Sequence, residues 1–393
     1  MNLDVDVNRC TTELERLAEF SDVPAPAVKR VVFTKIDLAA RRYLTGLFEE
    51  ARLKVRADAV GNIFARWEGL DPSLSAVATG SHTDAIPYSG KYDGTVGVLG
   101  GLEAIRSLQA AGVRPRRSIE LIMFTSEEPT RFAYGCLGSR LLSGQLTADA
   151  DAQLKDEAGA TLRDARTAAG YAGDLSRVKL AKGSYSAFVE LHVEQGPLLE
   201  QAGIPIGAVT HISAPAAMRV RYQGPGGHAG GVYMPDRRDP LLAASRLALE
   251  VEAAAIELGG AETVGTVGVL DVYPRAVNSI PRDVMLEIDV RDMDHARRDR
   301  VLQRIRASAA GFGRDRGIET TVEEINADPP ATCDERIIAA IEQSAAAAGH
   351  KCQQMISRAY HDSTFMSLEA PIGMIFIPCR AGISPHPDEY ASP

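Results

Sequence analysis

The sequence predicts an α/β fold: a catalytic domain with a mostly parallel, doubly wound sheet, interrupted by an inserted α+β domain. Strand-like apolar runs alternate with helical runs in the first half of the chain, which is typical of a parallel sheet with helices on both faces. From about Val209 the pattern changes to period-two alternation, and past Asn326 the α/β pattern returns. We therefore predict a discontinuous catalytic domain at 1–208 and 326–393 and an inserted domain at 209–325.

The catalytic domain begins with two helical segments, RCTTELERLAEFSD and KIDLAARRYLTGLFEEA. Apolar runs bounded by turn residues then predict strands at 59–67, 74–79, 119–125, 188–193 and 372–378. Further helices are predicted from 3.6-residue periodicity at 95–111 and 334–348.

The inserted domain is predicted from three alternating runs, MRVRYQG, ETVGTVGVLDV and DVMLEIDVRD, which are typical of antiparallel strands. Helices are predicted at 239–258, with Asp239 as the N-cap, and at 294–311. The predicted order of elements in the inserted domain is strand, helix, strand, strand, helix. This order is typical of a small α+β sandwich.

Composition excludes several classes of protein. The 393 residues suffice for two domains with separate cores, and the net charge of −9 without a basic stripe argues against a nucleic-acid partner. No apolar run reaches the length of a membrane span, and the start MNLDVDVNRC lacks the features of a secretory signal. The five cysteines are scattered and show no CxxC spacing, so we expect reduced thiols and a cytoplasmic location.

The loop at 80–94, GSHTDAIPYSGKYDG, lies between a predicted strand and a predicted helix, where open α/β sheets place their chemistry. His82 and Asp93 suit a divalent metal, and Asp84 could orient the ring of His82. Solvated turn residues would explain this loop equally well on its own.

Other stretches offer the same ligand types: Glu127, Glu128, His192, His361 and His386. Of two adjacent glutamates, one can bind a metal while the other takes a proton from bound water, although acidic residues also simply favour a helix start. Asp93 could bridge two cations, and imidazoles with carboxylates but no thiolate fit Zn²⁺ or Mn²⁺.

Seven motifs carry a resemblance that covers nearly the whole chain: GSHTDAIPYSGKYDG, FTSEEPTRF, ELHVEQGPLLE, GGHAG, NSIP, RAYHDS and IFIPC. In this order they resemble the dinuclear amidohydrolases that cleave allantoate, N-carbamoyl amino acids and ureidoglycolate. IPYSGKYDG, SRAYHDS and GMIFIPC are most similar to the ureidoglycolate branch.

The resemblance implies two divalent metal ions per chain, bridged by Asp93, with Glu127 as the general base and Asp84 in a supporting catalytic role. The implied metal ligands are His82, Asp93, Glu128, His192 and His386. The implied substrate-binding residues are Gln195, His228, Asn278, Arg291, Tyr360 and His361. In the family, the histidine that matches His228 comes from the partner subunit and polarises the scissile carbonyl, so a homodimer and a lid role for the inserted domain are expected.

Two departures from the family pattern stand out. The family's last metal ligand is the histidine of a Gly-x-Ser-His-x-Pro run, whereas here Pro385 occupies that position and His386 follows it. We expect His386 to reach the second metal if the loop shifts, although flanking prolines stiffen it. The end YASP resembles a helix cap and first turn, so a continuation of the chain is expected.

The implied activity is hydrolysis of ureidoglycolate, a small ureido acid, to glyoxylate, ammonia and carbon dioxide. Allantoate and N-carbamoyl-L-amino acids are alternative substrates, but Arg358 and Tyr360 favour the small substrate because carbamoylase-like relatives usually have glycines there. A catalytically impaired relative without enzymatic function is an alternative of another class. A dinuclear aminoacylase or peptidase has no support beyond the metal set.

Overall fold

The computed structural model describes residues 3–393. The α-helices are α1 (Val7–Ala18), α2 (Lys35–Glu50), α3 (Thr95–Ala110), α4 (Leu137–Ser143), α5 (Ala150–Gln153), α6 (Leu162–Ala168), α7 (Leu198–Ala202), α8 (Pro240–Leu258), α9 (His295–Arg316), α10 (Glu335–Ala347) and α11 (Ser363–Met366). The strands are β1 (Val28–Arg30), β2 (Lys54–Ala57), β3 (Ile63–Trp67), β4 (Ala76–His82), β5 (Ala85–Ser89), β6 (Ile119–Phe124), β7 (Tyr185–Val193), β8 (Ile206–Ile212), β9 (Ala214–Gln223), β10 (Gly227–His228), β11 (Val264–Tyr273), β12 (Ser279–Ile280), β13 (Asp283–Asp292), β14 (Glu319–Ala327), β15 (Ala331–Thr332), β16 (Cys352–Ser357) and β17 (Ile372–Ile377).

The chain divides into two compact units. The first comprises the residues up to Thr210 together with Ala331–Ser357 and His361–Pro393, and the second comprises His211–Pro330 and Arg358–Tyr360. The return of Arg358–Tyr360 to the second unit has no signature in the sequence. The lid and dimerisation roles of the second unit stay predictions.

The first unit is built on a mixed sheet that confirms the predicted fold class. Within residues 3–393 this sheet has nine strands, in the order β15-β8-β17-β7-β4-β6-β3-β2, with β16 paired to β8. The central strands β17, β7, β4 and β6 run parallel, whereas β2, β3 and β8 pair antiparallel at the flanks. The apolar runs that predict β6 and β17 are largely buried, as expected for strands covered on both faces.

The apolar faces of α2 and α3 pack with the sheet to form the core beneath the loop at 80–94. Leu44 and Phe48 of α2, Val98 and Leu102 of α3, and Leu121 of β6 are buried in one cluster. These helices therefore fix the position of the loop that precedes α3.

The antiparallel pair of β1 and β5 is absent from the sequence prediction, which treats 80–94 as a loop. β5 contains Pro87, and its centre is exposed, so it shows neither alternation nor a continuous apolar run. The pair is anchored by Arg30, which is buried and donates a 2.6 Å hydrogen bond from Nη1 to the carbonyl oxygen of Thr83.

The second unit contains the antiparallel sheet β11-β13-β9-β14, and α8 and α9 pack on one face of it. Asp239 accepts a hydrogen bond from Leu241 N, and so it is the N-cap of α8, as predicted. The prediction misses β14, whose largely exposed polar residues hide the alternation. It also ends α9 at Gly311, whereas the helix continues for five more residues to Arg316. Gly313 lies inside the helix, where a Cβ would come within 1.8 Å of Thr320 Oγ1.

None of the helices in the described range combines the length and the apolar character that crossing a bilayer requires.

Candidate active site

Metal-type side chains converge where two neighbouring parallel strands end. β4 ends at His82, and the adjacent strand β7 places His192 one residue before its own end. Asp93 lies directly before Gly94, the N-cap of α3. One ligand atom from each of these three buried residues lies within 4.8 Å of the other two, and His192 Nε2 is 3.2 Å from Asp93 Oδ1. We call His82, Asp93 and His192 the triad.

Only glycine fits at the point where the triad meets the helix. Gly94 has a φ of 63°, and a Cβ at this position would lie 2.3 Å from His82 Nε2. A side chain here would displace the imidazole from the cluster.

Backbone carbonyls hold both imidazoles in the orientation that a metal ligand requires. His82 Nδ1 lies 3.1 Å from the carbonyl oxygen of Asp84, and His192 Nδ1 lies 2.9 Å from that of Val193. When Nδ1–H donates to these oxygens, Nε2 is left as the acceptor on each ring. Two imidazoles and a carboxylate without a thiolate fit Zn²⁺ or Mn²⁺, so the triad is a suitable cation site.

The pKa values of the two imidazoles of the triad are shifted in opposite directions. Burial lowers the pKa of His82 to about 4, which keeps its ring neutral. Burial also lowers the pKa of His192, but the hydrogen bond and the negative charge of Asp93 outweigh it and raise that pKa to about 9. His192 therefore holds a proton beside Asp93 that a bound cation would displace.

Asp84 does not orient His82 in the predicted way, because its backbone does so while its side chain has another role. The carboxylate oxygen Oδ1 is 3.8 Å from His82 Nδ1, too far for a hydrogen bond. The carboxylate instead accepts hydrogen bonds from Glu127 N at 3.2 Å and Glu128 N at 3.1 Å. Asp84 thus connects the loop of the triad to the loop of the paired glutamates.

Glu127 lies beside the triad and has the environment of a proton-transfer group. Its Oε2 is 3.7 Å from His82 Nε2, and the buried thiol of Cys136 donates to its Oε1 over 3.4 Å. Burial raises the pKa of Glu127 well above its usual value, and the charges of Glu128 and Asp362 raise it further. Sequence reasoning missed Cys136, since a lone cysteine nine residues downstream shows no pattern.

Glu128 is half-buried, and it is not among the residues whose ligand atoms lie within 4.8 Å of one another at the triad. Burial and the charge of Asp93 raise the pKa of Glu128 well above its usual value, so the two carboxylates act on each other electrostatically. Its assignment as a ligand of a second metal stays a prediction.

His361 and Gln195 both lie next to the triad. The ring of His361 is buried and 4.6 Å from the ring of His192, and its Nε2 is 2.9 Å from Ser357 Oγ. Gln195 donates from Nε2 to Asp93 Oδ1 over 3.2 Å. Neither contact tests the predicted role in substrate binding.

Glu190 is buried behind His192 and was missed by the sequence analysis, because it lies inside an apolar strand. It could hold a cation with His192 and His361. However, its carboxylate already accepts hydrogen bonds from Ser81 Oγ at 2.7 Å and from Ser363 Oγ at 2.6 Å. Because these hydrogen bonds engage its carboxylate, we do not assign Glu190 as a metal ligand.

The C-terminal loop meets the site through Glu389. The side chain of His386 is 53% exposed and its Nδ1 accepts a hydrogen bond from Asp388 N at 3.1 Å. Glu389 is buried and accepts hydrogen bonds from Tyr92 N at 2.7 Å and Asp93 N at 3.1 Å. Sequence reasoning missed Glu389, and the ligand role of His386 stays a prediction.

In the second unit, two predicted substrate residues share one cavity. His228 on β10 and Asn278 line a cavity of about 480 Å³, and Ala229 N donates to the carbonyl oxygen of Asn278 over 2.8 Å. His228 belongs to β10, which pairs with β12, and Asn278 directly precedes β12.

Two further predicted substrate residues of the second unit are already hydrogen-bonded. Arg291 donates from Nε to Asp289 Oδ1 at 2.8 Å and from Nη1 to the carbonyl oxygen of Arg358 at 3.1 Å. Tyr360 donates its hydroxyl to Asp328 Oδ2 over 2.6 Å.

The chain matches one protein family and several known hydrolases over most of its length. Residues 78–393 match the family model described as peptidase family M20/M25/M40. The chain is 51% identical over 399 residues to ureidoglycolate hydrolase of Arabidopsis thaliana, covering 100% of this chain and 84% of that protein. It is 32% identical over 385 residues to allantoate amidohydrolase of Bacillus subtilis, covering 98% of this chain and 93% of that protein. A crystal structure of AtUAH in complex with glyoxylate is 51% identical, with a TM-score of 0.93, and the match covers 99% of this chain and 94% of that chain.

Proposed function

The chain belongs to peptidase family M20/M25/M40, and from this premise we propose that it is a metal-dependent amidohydrolase that hydrolyses ureidoglycolate to glyoxylate, ammonia and carbon dioxide. The observation that carries the proposal is the buried triad of His82, Asp93 and His192 with Glu127 beside it, in a chain 51% identical to ureidoglycolate hydrolase. The free thiols of all five cysteines support a reducing compartment.

The triad would hold one divalent cation, and Glu128 and His386 would complete the site for a second. When bound, such ions lower the pKa of water and polarise a carbonyl group. Glu127 accepts the proton of the attacking water and passes it to the leaving nitrogen, for which its raised pKa is suitable.

Other residues of the chain bind and orient the substrate. Arg291 binds the carboxylate of the ureido acid, since a guanidinium fork matches a carboxylate. Asn278 and Gln195 offer amide donors and acceptors to the ureido group. His228 of the partner subunit donates to the oxyanion that forms at the carbonyl.

A homodimer is the assembly that this use of His228 requires. Three exposed apolar residues of α8, Leu242, Leu249 and Ile256, are spaced seven residues apart, which is the repeat of a helix-pairing seam. β11 is one of the two edge strands of its sheet, so a second copy could pair with it across a two-fold axis.

Replacing Arg291 by lysine should raise KM for ureidoglycolate about tenfold, because a lysine keeps the charge but loses the two parallel hydrogen bonds. Steady-state kinetics on ureidoglycolate measure this, and the thermal unfolding temperature is the check on folding. Unchanged kinetics would mean that another residue holds the substrate carboxylate.

Removing the imidazole of His386 should cost the protein one of two bound metals, because the triad can hold only the other. Metal content per chain, measured after dialysis against a weak chelator, tests this without reference to activity. His295→Ala is the matched control, since His295 is 54% exposed and lies beside Asp299 much as His386 lies beside Asp388. Two metals retained in His386→Ala would exclude His386 as a ligand.

The proposed activity is tested by ammonia release from ureidoglycolate, allantoate and an N-carbamoyl-L-amino acid, using protein loaded with Mn²⁺. We expect the highest kcat/KM for ureidoglycolate. A higher value for either other substrate would move the chain to that branch of the family, and no release from any of them would favour a catalytically impaired relative.

A further inference from the structure

The outward face of β13 carries a row of acidic residues, and two of them pair with arginines across the sheet. Arg219 Nη2 donates to Glu287 Oε1 at 2.6 Å, and Arg221 Nε donates to Asp283 Oδ1 at 2.8 Å. Both arginines belong to β9, the neighbouring strand. These pairs are ordinary surface ion pairs of a sheet.

Asp289 is on the same face, but Arg219, its diagonal neighbour on β9, already pairs with Glu287 and Glu323. The residues opposite it are Ala217 on β9 and Thr266 on β11, and neither is a cation. It pairs along its own strand with Arg291, two residues on. The side chains of Asp289 and Arg291 are each about one-third exposed, so a small ligand can reach them.

Asp289 and the carbonyl oxygen of Arg358 together engage three N–H groups of the Arg291 guanidinium. Nε donates to Asp289 Oδ1 at 2.8 Å and Nη2 donates to Oδ2 at 3.4 Å, while Nη1 donates to the carbonyl oxygen of Arg358 at 3.1 Å. Of the five N–H groups of a guanidinium, two therefore remain, one on each terminal nitrogen. Two N–H groups are what a single carboxylate needs for a bidentate contact.

We propose that Asp289 is a positioning residue that fixes the Arg291 guanidinium for the carboxylate of the substrate. This inference rests on the proposed function, in which Arg291 binds that carboxylate. A free arginine side chain loses rotational freedom when it binds a ligand, which weakens binding. Asp289 and the Arg358 carbonyl remove that freedom before the substrate arrives.

The alternative role for Asp289 is competition, in which its carboxylate occupies the site meant for the substrate. The two roles predict opposite changes in affinity. Removing a positioning residue weakens binding, whereas removing a competitor strengthens it.

The test compares Asp289→Ala and Asp289→Asn with the matched control Asp283→Ala, which loses an ion pair on the same face of the same strand. Calorimetric titration of the metal-loaded protein with glyoxylate measures carboxylate affinity, and kinetics on ureidoglycolate separate KM from kcat. Without Asp289, the Arg291 side chain would lose its rotational freedom only when the ligand binds. We therefore expect Asp289→Ala to raise Kd and KM about three- to tenfold. Asp289→Asn should raise them less, since its amide oxygen still accepts from Nε, and kcat and the unfolding temperature should stay unchanged in both. Asp283→Ala should change none of these values.

Arg291→Ala, titrated in parallel, separates the two proposals. If it weakens glyoxylate binding and Asp289→Ala leaves binding unchanged or tighter, the positioning role is wrong while the proposed function stands. If neither variant weakens binding, the positioning role fails together with the carboxylate site proposed for Arg291.

Discussion

Replacing Glu127 by glutamine should lower kcat by about 10²–10⁴-fold or more, because an amide cannot take the proton of the attacking water. The substitution keeps the shape of the side chain and one hydrogen-bond acceptor. The thiol of Cys136 can still donate to the amide oxygen, and Asp84 still accepts from the backbone of residue 127. Metal content and the thermal unfolding temperature should therefore be unchanged.

Glu103→Gln is the control for the loss of a buried glutamate. Glu103 is buried in α3 and accepts hydrogen bonds from Arg9 Nε at 2.9 Å and from Asp6 N at 3.0 Å, away from the triad. Its substitution should lower stability and leave kcat unchanged. Near-wild-type turnover in Glu127→Gln would remove Glu127 from the mechanism.

Mixing His228→Ala chains with Glu127→Gln chains should restore activity that neither variant has alone. If His228 acts in the partner's site, a hybrid dimer has one site with both groups intact and one with neither. Random pairing makes half of the dimers hybrid, so the mixture should reach about a quarter of wild-type activity.

The control mixture combines His228→Ala chains with chains that carry both substitutions, so that no site is complete. It should stay as inactive as the separate variants. If hybrid dimers are confirmed by mass and show no recovered activity, His228 does not serve the partner's site.

Periodicity predicted many of the elements that are buried on one or both faces, but it missed the largely buried strand β8. β13 alternates between buried Val284, Leu286, Ile288 and Val290 and the partly exposed residues between them, and the sequence shows this directly. The pair of β1 and β5 gave no such signal, since its stability depends on Arg30 and on a partner strand far along the chain. Such contacts lie outside the reach of a local pattern.

The residues of the candidate active site also fall into a group that the sequence predicted and a group that it did not. The loop at 80–94, the paired glutamates and His192 each offered metal-type side chains, but it was the order of the seven motifs, which resembles that of the dinuclear amidohydrolases, that assigned the triad and Glu127 to one site. Cys136, Glu190 and Glu389 were missed because a single buried residue shows no pattern, and only the fold brings each one to the site. The side-chain role of Asp84 also required the structure, because its partners, the amides of Glu127 and Glu128, are more than forty residues away.

The central claim, hydrolysis of the ureido group of ureidoglycolate, is tested most directly by the stoichiometry of the products. Attack at the ureido carbonyl releases one ammonia, and the resulting carbamate decays to carbon dioxide, a second ammonia and glyoxylate. Simultaneous assays of the Mn²⁺-loaded protein should therefore give two molecules of ammonia for each glyoxylate and no urea. Urea in equal amount to glyoxylate, without enzymatic release of ammonia, would show cleavage at the other carbon–nitrogen bond and contradict the account.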